Sequence, residues 1–361
     1  MRLERASGWL KSLALFALLY LFLLSISMMG AAFKLFGSDL ANQLIATTSN
    51  PFVGLVIGIL TTSLIQSSST TTSLVVGLVG AGALNIANAI PIIMGSNIGT
   101  SITNTIVSLG HLTRRQEFER AFAGSTVHDF FNLCVVVLFF PLQVMTNFLG
   151  VMSSYLADMF ERFGGLKTVS PIKVITKPVV AVLQDWSGGS ALILLVLSLL
   201  FLIFALRYLT VVLRSLVLGR FEALFDEYIF KTALRSFVFG IFVTVMVQSS
   251  SITTSIAVPL VGAGLLTLEQ VLPYTLGANI GTTITAVLAS LATGNLAAVT
   301  VAFAHVLFNV LGVTLVFPMR KLPLFLARWL AVSAMRYRLI PFVYILLVFF
   351  VIPFLFIYLM R

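Results

Sequence analysis

The sequence predicts an all-α polytopic membrane protein built from two inverted-topology repeats. Three observations predict this class: the composition, a series of long apolar stretches, and a polar motif that occurs twice. Of the 361 residues, 59% are hydrophobic and only 9% are charged. Soluble domains carry about 25% charged residues, so this chain has too few to cover a surface in water. The mean hydropathy of +1.08 agrees, and we expect residues 1–361 to form a single transmembrane domain.

Seven apolar stretches are long enough to cross a bilayer, which takes about 20 residues per helix. They are residues 12–33, 86–109, 120–146, 189–213, 268–292, 296–318 and 340–360. Two further apolar segments, 51–83 and 232–265, are each interrupted near the middle by a Gln and a cluster of Ser and Thr. We expect each to form a re-entrant helical hairpin with a polar tip at membrane depth. Residues 147–188 are expected to form an external loop.

The chain contains an internal duplication. The segment QSSSTTTS at residues 66–73 recurs as QSSSITTS at 248–255, and the same register later pairs GSNIGT with GANIGT. The two repeats cover residues 50–146 and 232–318 approximately. Three predicted spans separate the two hairpins, and an odd number of crossings places the second hairpin on the opposite side of the membrane. The repeats are therefore predicted to be inverted.

Positive charge gives an independent indication of orientation. With the N-terminus in the cytoplasm, most of the 22 Lys and Arg residues fall in cytoplasmic segments, as the positive-inside rule expects. Segment 147–188 is the weak point, because it holds four basic residues on the outer side. The net charge of +10 does not indicate nucleic-acid binding, since the basic residues lie between apolar segments. We expect a multi-pass protein of the cell membrane with a cytoplasmic N-terminus.

Each predicted hairpin tip carries polar residues that are costly in a bilayer. Unsatisfied polar groups there cost several kcal/mol, so the hydroxyls need partners or an aqueous cavity. They could bond back to their own helix or pack between spans. Alternatively, backbone N–H groups at the start of the second arm, the hydroxyls and the Gln amide converge on an anion. The candidate anion-binding residues are Gln66, Ser67, Ser68, Ser69, Gln248, Ser249, Ser250 and Ser251.

The second duplicated motif is Gly-x-Asn-Ile-Gly-Thr, at residues 95–100 and 277–282. Two glycines that flank an Asn within an apolar span permit local unwinding, which frees carbonyl oxygens. Carbonyl, amide and hydroxyl oxygens are the ligands of a small hard cation. We therefore expect one partly unwound transmembrane helix in each repeat. The candidate cation ligands are Asn97, Thr100, Asn279 and Thr282. The alternative is that the glycines serve close packing of two helices.

Ionisable and amide residues within the spans are few. His128 and Asn132 recur as His305 and Asn309, a spacing that puts each pair on one face of a helix. Such pairs either hold helices together or bind a ligand directly. Asp129 lies well within a span, and an ionisable residue there is a functional hypothesis by default. It either tunes an ion site or bonds to His128. These five residues are possible neighbours of the ligand sites.

An enzyme is not expected, and neither is a cofactor. A serine hydrolase needs a base within reach of its nucleophile, and no His or Lys lies near either Ser cluster in the sequence. A metal enzyme needs grouped His, Cys or carboxylates, which three His and one Cys can hardly supply.

The duplicated Gln-Ser-Ser-Ser, each copy followed by Gly-x-Asn-Ile-Gly-Thr, resembles the sodium-dependent phosphate cotransporter family, which includes the animal type II carriers and bacterial relatives. The resemblance covers both repeats. It implies a secondary active transporter for inorganic phosphate, with sodium as the coupling ion and the only metal, in contact with membrane lipid. Phosphate would lie near the Gln-Ser-Ser-Ser tips and sodium near neighbouring oxygens. The implied sodium ligands thereby extend to Thr71, Thr72, Thr253 and Thr254.

The chain departs from the animal members of that family in one respect. It has only residues 147–188 where they carry a large disulfide-bearing extracellular loop, which suggests a bacterial carrier in the inner membrane.

Two alternative functions stay open. Hydroxyl and backbone donors do not distinguish phosphate from carboxylate, so a sodium-coupled carrier of a dicarboxylate or another oxyanion is one alternative. A non-transporting membrane scaffold is the other.

Overall fold

The computed structural model describes residues 8–221 and 229–359, and these form helices with no strand. The all-α class is therefore confirmed. The helices of the first half are α1 (Gly8–Phe36), α2 (Ser38–Thr47), α3 (Pro51–Ile65), α4 (Ser68–Gly80), α5 (Ile86–Thr100), α6 (Ile102–Ser108), α7 (Arg115–Thr146), α8 (Phe148–Arg162) and α9 (Gly165–Trp186). Those of the second half are α10 (Ala191–Phe221), α11 (Ala233–Val247), α12 (Ser250–Gly262), α13 (Leu268–Thr293), α14 (Leu296–Val316), α15 (Lys321–Arg336), α16 (Ile340–Leu346) and α17 (Ile352–Leu359).

Six helical segments of the described residues are long and apolar enough to cross a membrane. They are α1, α7, α10, α13, α14 and the segment Ile340–Leu359, in which a π-helical turn joins α16 to α17. The predicted span 86–109 is present as two helices, α5 and α6, which are separated at Ser101. Helices are the expected solution here, because each satisfies its own backbone hydrogen bonds without water.

Each segment predicted to form a hairpin consists of two short helices that meet at a Gln. That these pairs re-enter the membrane stays a prediction. α3 ends at Gln66 and α11 ends at Gln248, and each of these residues has a left-handed backbone with φ of 57°. A left-handed residue at the end of a helix turns the chain sharply. Ser67 and Ser249 then cap α4 and α12 by accepting hydrogen bonds from backbone N–H groups of the first turn. Each chain reversal is therefore complete within two residues.

The first arm of each hairpin packs very closely against the span that follows the hairpin. A Cβ atom on Gly95 of α5 would overlap the carbonyl of Leu55 in α3. In the second repeat, a Cβ atom on Gly277 of α13 would overlap the carbonyl of Phe237 in α11. Glycine at these matching positions lets two helix backbones approach each other. The glycines of the second motif are thus used for helix packing.

The expected unwinding is wrong for the second repeat and displaced in the first. α13 runs without a break through residues 277–282, and α5 is interrupted only at Ser101, after the motif has ended. A continuous helix satisfies its own carbonyl groups, which an apolar environment strongly favours. The break occurs in the repeat that has a carboxylate side chain next to it. Asp129 lies beside the break, whereas the aligned residue of the second repeat is Val306.

Residues 147–188 were expected to form an external loop, but they form α8 and α9. α8 packs against α14, where the rings of Phe160 and Phe303 meet edge to face. α9 packs against α1, where the hydroxyls of Ser27 and Thr176 are 3.1 Å apart. Despite its basic residues, this segment therefore has an apolar face that packs against the helix bundle. The side of the membrane on which α8 and α9 lie stays a prediction.

Contacts at the open ends of the hairpins favour the inverted arrangement. α13 begins shortly after Gly264, next to the end of the second hairpin. It ends at Thr293, whose side chain packs directly against Gly80 at the end of the first hairpin. A Cβ atom on Gly80 would overlap the threonine side chain. The two hairpins therefore open at opposite ends of a helix of 26 residues, which is long enough to span a bilayer. Residues 1–7, expected in the cytoplasm, lie outside the described residues.

Two cysteine substitutions would test this topology, both in a Cys134→Ser background. Ser49 is exposed just before α3, and Lys231 is exposed just before α11. We expect Ser49→Cys to react with a membrane-impermeant maleimide added to intact cells, because the reagent reaches the outer face only. Lys231→Cys should react only after the membrane is opened. Labelling of both cysteines in intact cells would contradict the inverted repeats.

Candidate functional site

The two hairpin tips touch each other between the repeats. Ser69 Oγ donates a hydrogen bond to the carbonyl oxygen of Gln248 at 3.3 Å. Thr285 Oγ1 of α13 donates to Gln248 Oε1 at 2.8 Å and lies 3.5 Å from Ser69 Oγ. On the other side of the contact, Ser251 Oγ is 3.5 Å from the carbonyl oxygen of Thr100. The fold thus brings the candidate residues of both repeats to one place.

Two helices begin where the tips touch. Ser67 Oγ accepts a hydrogen bond from Thr70 N at 3.2 Å, and Ser249 Oγ accepts one from Ile252 N at 3.4 Å. The first-turn N–H groups of a helix have no acceptor within the helix, and each cap satisfies only one of them. The start of a helix also carries partial positive charge. Two such starts beside one contact form an arrangement that suits an anion.

Ser68 and Ser250 are the buried serines of the tips whose hydroxyls stay unpaired. The two residues are 3% and 2% exposed, and within the described residues neither hydroxyl has a hydrogen-bond partner. Buried polar groups are usually paired. Each of these hydroxyls is therefore free to donate to a ligand bound at the contact between the tips.

The two glutamines of the tips differ in their surroundings. Gln248 is buried, and its Nε2 donates to the carbonyl oxygen of Val245 at 2.6 Å while its Oε1 accepts from Thr285. The side chain of Gln66 is exposed. The Gln248 amide is consequently fixed in place, whereas the amide of Gln66 is accessible.

The threonine hydroxyls bond back to their own helices. Each donates to the carbonyl four residues earlier, at 2.8 to 3.2 Å: Thr71, Thr72, Thr100, Thr253, Thr254 and Thr282. A hydroxyl that donates its proton still has lone pairs on its oxygen. These oxygens can therefore still face a cation, although their protons are already used.

Asparagines of the two repeats form a buried network. Asn97 Nδ2 donates to Asn309 Oδ1 at 2.8 Å, and Asn279 Nδ2 donates to Asn132 Oδ1 at 2.8 Å. Asn132 Nδ2 in turn donates to the carbonyl oxygen of Asn97 at 2.7 Å. Asn97 and Asn279 each bond to an asparagine of the other repeat, so the motif asparagines are held between the two halves.

The two histidines complete this network. His128 Nε2 lies 2.7 Å from Asn279 Oδ1, and His305 Nε2 lies 3.3 Å from Asn97 Oδ1. The bonds between asparagines fix the amide orientation, so each amide oxygen faces a histidine and must accept. Nε2 therefore carries the ring proton, and Nδ1 is an acceptor. Within the described residues, the Nδ1 atom of neither histidine has a hydrogen-bond partner. The His-x-x-x-Asn pairs bond across helices of opposite repeats.

Asp129 lies beside the break between α5 and α6. Its Oδ2 accepts hydrogen bonds from Tyr344 at 2.8 Å and from Thr105 at 3.3 Å. The hydroxyl of Ser101, at the break itself, donates to the carbonyl oxygen of Ile98 at 2.8 Å. Oδ1 is buried and has no partner within the described residues. A buried carboxylate with one unpaired oxygen, next to hydroxyls, offers the ligand types that a hard cation prefers.

Three contributing residues were missed in the sequence. Tyr344 lies in the closing span, outside both repeats, so the duplication gave no signal for it. Thr285 lies beyond the end of the second Gly-x-Asn-Ile-Gly-Thr motif on the same helix, and Thr105 lies beyond the first motif, after the break at Ser101. That spacing of hydroxyls was the available signal. The suggested bond between Asp129 and His128 is absent among the described hydrogen bonds.

The chain matches the family model described as Na⁺/Pi-cotransporter over residues 21–164 and 200–322. It is 34% identical over 438 residues to sodium-dependent phosphate transport protein 2B of Pongo abelii, with 94% of this chain and 64% of the relative covered. The human 2B protein is 33% identical over the same shares. The 2A protein of Ovis aries is 34% identical over 98% of this chain and 68% of its own length.

The chain spans a little under two thirds of the length of the two 2B relatives, at 64% of each. No solved structure matches it.

Proposed function

Because this chain belongs to the Na⁺/Pi-cotransporter family, we propose that it is a secondary active transporter that moves inorganic phosphate in symport with sodium. The chain is a multi-pass membrane protein by its spanning helices. Its relatives are named sodium-dependent phosphate transport proteins, which supports the same cargo here and a transporter rather than an enzyme. We place it in the inner membrane of a bacterium with a cytoplasmic N-terminus, an orientation that the distribution of Lys and Arg supports.

The contact between the hairpin tips is the observation that carries this proposal. Phosphate would lie between the starts of α4 and α12, where Ser68 and Ser250 are buried residues whose hydroxyls have no partner among the described residues. Those hydroxyls and the first-turn N–H groups would donate to its oxygens. The proposed phosphate-binding residues are the two tips, Gln66–Ser69 and Gln248–Ser251. In this set, Ser67 and Ser249 act by holding the helix starts in place.

Sodium would be bound by oxygens close to the same contact. The proposed set keeps Thr71, Thr72, Asn97, Thr100, Thr253, Thr254, Asn279 and Thr282, whose side-chain oxygens retain lone pairs. We add Asp129 as a ligand, because its Oδ1 is unpaired and its Oδ2 bonds to Thr105, shortly after the break at Ser101. A small cation there would be held by a full negative charge as well as by neutral oxygens. His128, Asn132, His305 and Asn309 would act on the site by fixing the asparagines.

The charges of the two cargoes explain why they would bind together. Phosphate bears one to two negative charges, yet neither tip contains a Lys or Arg. Neutral donors and a nearby sodium ion must therefore compensate the anion. Sodium bound first makes phosphate binding more favourable, and phosphate tightens sodium binding by the same factor. This reciprocity gives sodium-coupled transport a physical basis in a site without fixed positive charge.

The alternative cargo, a dicarboxylate, is less well matched to the tips. Ser69 of one tip contacts Gln248 of the other, so the two helix starts serve one compact location. A tetrahedral anion can accept donors from both sides of such a location, whereas a dicarboxylate needs two separated carboxylate sites. A non-transporting scaffold would leave the unpaired hydroxyls of Ser68 and Ser250 without a role.

Uptake into proteoliposomes tests the proposal. With an inward sodium gradient, we expect the purified protein to accumulate labelled phosphate above its equilibrium level, because sodium entry drives the cargo. A potassium gradient of the same size should give no accumulation. Unlabelled arsenate, a tetrahedral anion like phosphate, should compete, whereas succinate at the same concentration should not.

The same assay separates the alternatives. Competition by succinate together with sodium-dependent succinate uptake would favour the dicarboxylate carrier. A complete lack of sodium-driven uptake by folded, correctly inserted protein would favour the scaffold.

A further inference from the structure

Three arginines line one cavity far from the hairpin tips. The cavity has a volume of about 310 Å³ and lies between the start of α7 and the end of α15. Arg115 comes from α7, and Arg336 and Arg338 come from the end of α15 and the residues after it. The rest of the lining is formed by Leu112, Thr113, Phe118, Ala334 and Met335. The cavity thus combines three cations with an apolar wall.

Among the described residues, no carboxylate lines this cavity, although Glu119 lines an adjoining cavity together with Arg115 and Arg336. Glu117 of the same turn of α7 pairs with Arg114, at 3.1 Å. Among the described residues, none of the three arginines of the cavity has a carboxylate partner, and all three are exposed. Arg336 lies over the ring of Tyr337, with its guanidinium carbon 5.5 Å from the ring centre. The guanidinium groups are therefore free to bind an anion.

Helix α15 carries a second apolar face besides the one that packs on the bundle. Its buried face, which includes Leu324, Ala327 and Leu330, packs against α7. The opposite face exposes large apolar side chains, with Trp329 at 59% and Phe325 at 63% exposure. The other exposed apolar residues of that face are Leu322 and Val332. A helix that is apolar towards both the protein and its surroundings fits the plane of a membrane interface, where Trp is favoured.

We propose that the Arg115–Arg336–Arg338 cavity binds the headgroup of an anionic phospholipid. Guanidinium groups bind phosphate oxygens in pairs of parallel hydrogen bonds, so three arginines suit a phosphodiester. Val332 of the exposed apolar face lines an adjoining cavity together with Arg115 and Arg336. The acyl chains of a lipid held by its phosphate would therefore lie against the exposed face of α15. Free phosphate offers nothing to cover that face, so the observations favour the lipid.

This site is separate from the transport site. The cavity is lined by α7, α15 and the residues next to them, and none of its residues belongs to a hairpin tip. A lipid bound here would fasten α15 to the start of α7, next to the end of the second hairpin, where Arg120 Nε donates to the carbonyl oxygen of Gly262 at 2.8 Å. The bound lipid would thereby hold α15 and the start of α7 in place beside the second hairpin.

Native mass spectrometry of the purified protein tests the proposal with two matched variants. Arg336→Gln/Arg338→Gln removes two charges from the cavity, and Arg320→Gln/Lys321→Gln removes two charges from the other end of α15. With dioleoyl phosphatidylglycerol as the probe, we expect the first variant to bind about tenfold more weakly than the parent, because each surface cation contributes to anionic lipid binding. The control variant should bind as the parent does. Arg336→Lys/Arg338→Lys, which keeps the charge but lacks the paired guanidinium donors, should recover only part of the binding.

Three outcomes would overturn the proposal. Equal weakening in both glutamine variants would indicate a general effect of surface charge. Equal binding of dioleoyl phosphatidylcholine would show that the headgroup charge is not recognised. Displacement of the lipid by an equal concentration of inorganic phosphate would assign the cavity to free phosphate instead.

Discussion

Replacing Ser68 or Ser250 by alanine is expected to raise the phosphate concentration needed for half-maximal uptake by roughly thirtyfold, which corresponds to about 2 kcal/mol for a hydrogen bond to a charged group. Both residues are buried and their hydroxyls have no partner within the described residues, so their removal leaves no protein group unsatisfied. The folded protein should therefore be as abundant as the parent, and the loss should be confined to phosphate binding. Uptake measured over a range of phosphate concentrations at saturating sodium checks this result.

The matched control is Ser255→Ala, which lies on α12 beyond the tip. Its hydroxyl donates to the carbonyl oxygen of Ile252 at 3.0 Å, so we expect no change in the phosphate requirement. The double variant Ser68→Ala/Ser250→Ala should lose more affinity than either single variant, because each repeat supplies one side of one site. Parental phosphate affinity in both single variants would remove the tips from the binding site.

Replacing Asp129 by asparagine is expected to raise the sodium concentration needed for half-maximal uptake by about thirtyfold or more. The substitution keeps the size of the side chain but removes a full negative charge. An opposite charge at about 4 Å is worth about 4 kcal/mol at an effective dielectric constant of about 20, so even a partly screened loss is large. At limiting sodium the phosphate requirement should rise as well, because the two cargoes are linked. Sodium titrations of phosphate uptake measure both effects.

Two further variants make the Asp129 result specific. Asp185→Asn removes an exposed carboxylate outside the predicted spans, and we expect parental sodium dependence. Tyr344→Phe removes the hydroxyl that donates to Asp129 but keeps the charge, so its effect should be smaller than that of Asp129→Asn. A parental sodium requirement in folded Asp129→Asn protein would show that sodium binds elsewhere.

The duplicated sequence made much of the fold predictable. Apolar stretches of span length predicted the long helices, and a Gln followed by serines within an apolar segment predicted each hairpin. These features are local, because span length and the cost of buried polar groups act within one segment. The helices at residues 147–188 escaped prediction, since α8 and α9 have an apolar face on one side only and are too polar overall to read as spans.

Whether each Gly-x-Asn-Ile-Gly-Thr segment is helical or unwound could not be predicted from its own residues. The same motif is followed by a break at Ser101 in one repeat and lies within a continuous helix in the other. Glycine permits both unwinding and close packing, and the choice depends on what faces the segment. In the first repeat the neighbour of the break is Asp129, and in the second the aligned residue is Val306.

The sequence by itself determined that this protein is a duplicated, all-helical membrane protein and which residues stand at its polar tips. Hydrophobicity and hydrogen-bond satisfaction are properties of short segments, so they are visible without the fold. Only the tertiary structure decided which polar groups meet. The contact of Asn97 with Asn309 joins residues 212 positions apart, and that of Asp129 with Tyr344 joins residues 215 positions apart. Such pairs depend on how the two repeats and the closing span pack, because contacts at that separation arise only when whole helices are brought side by side.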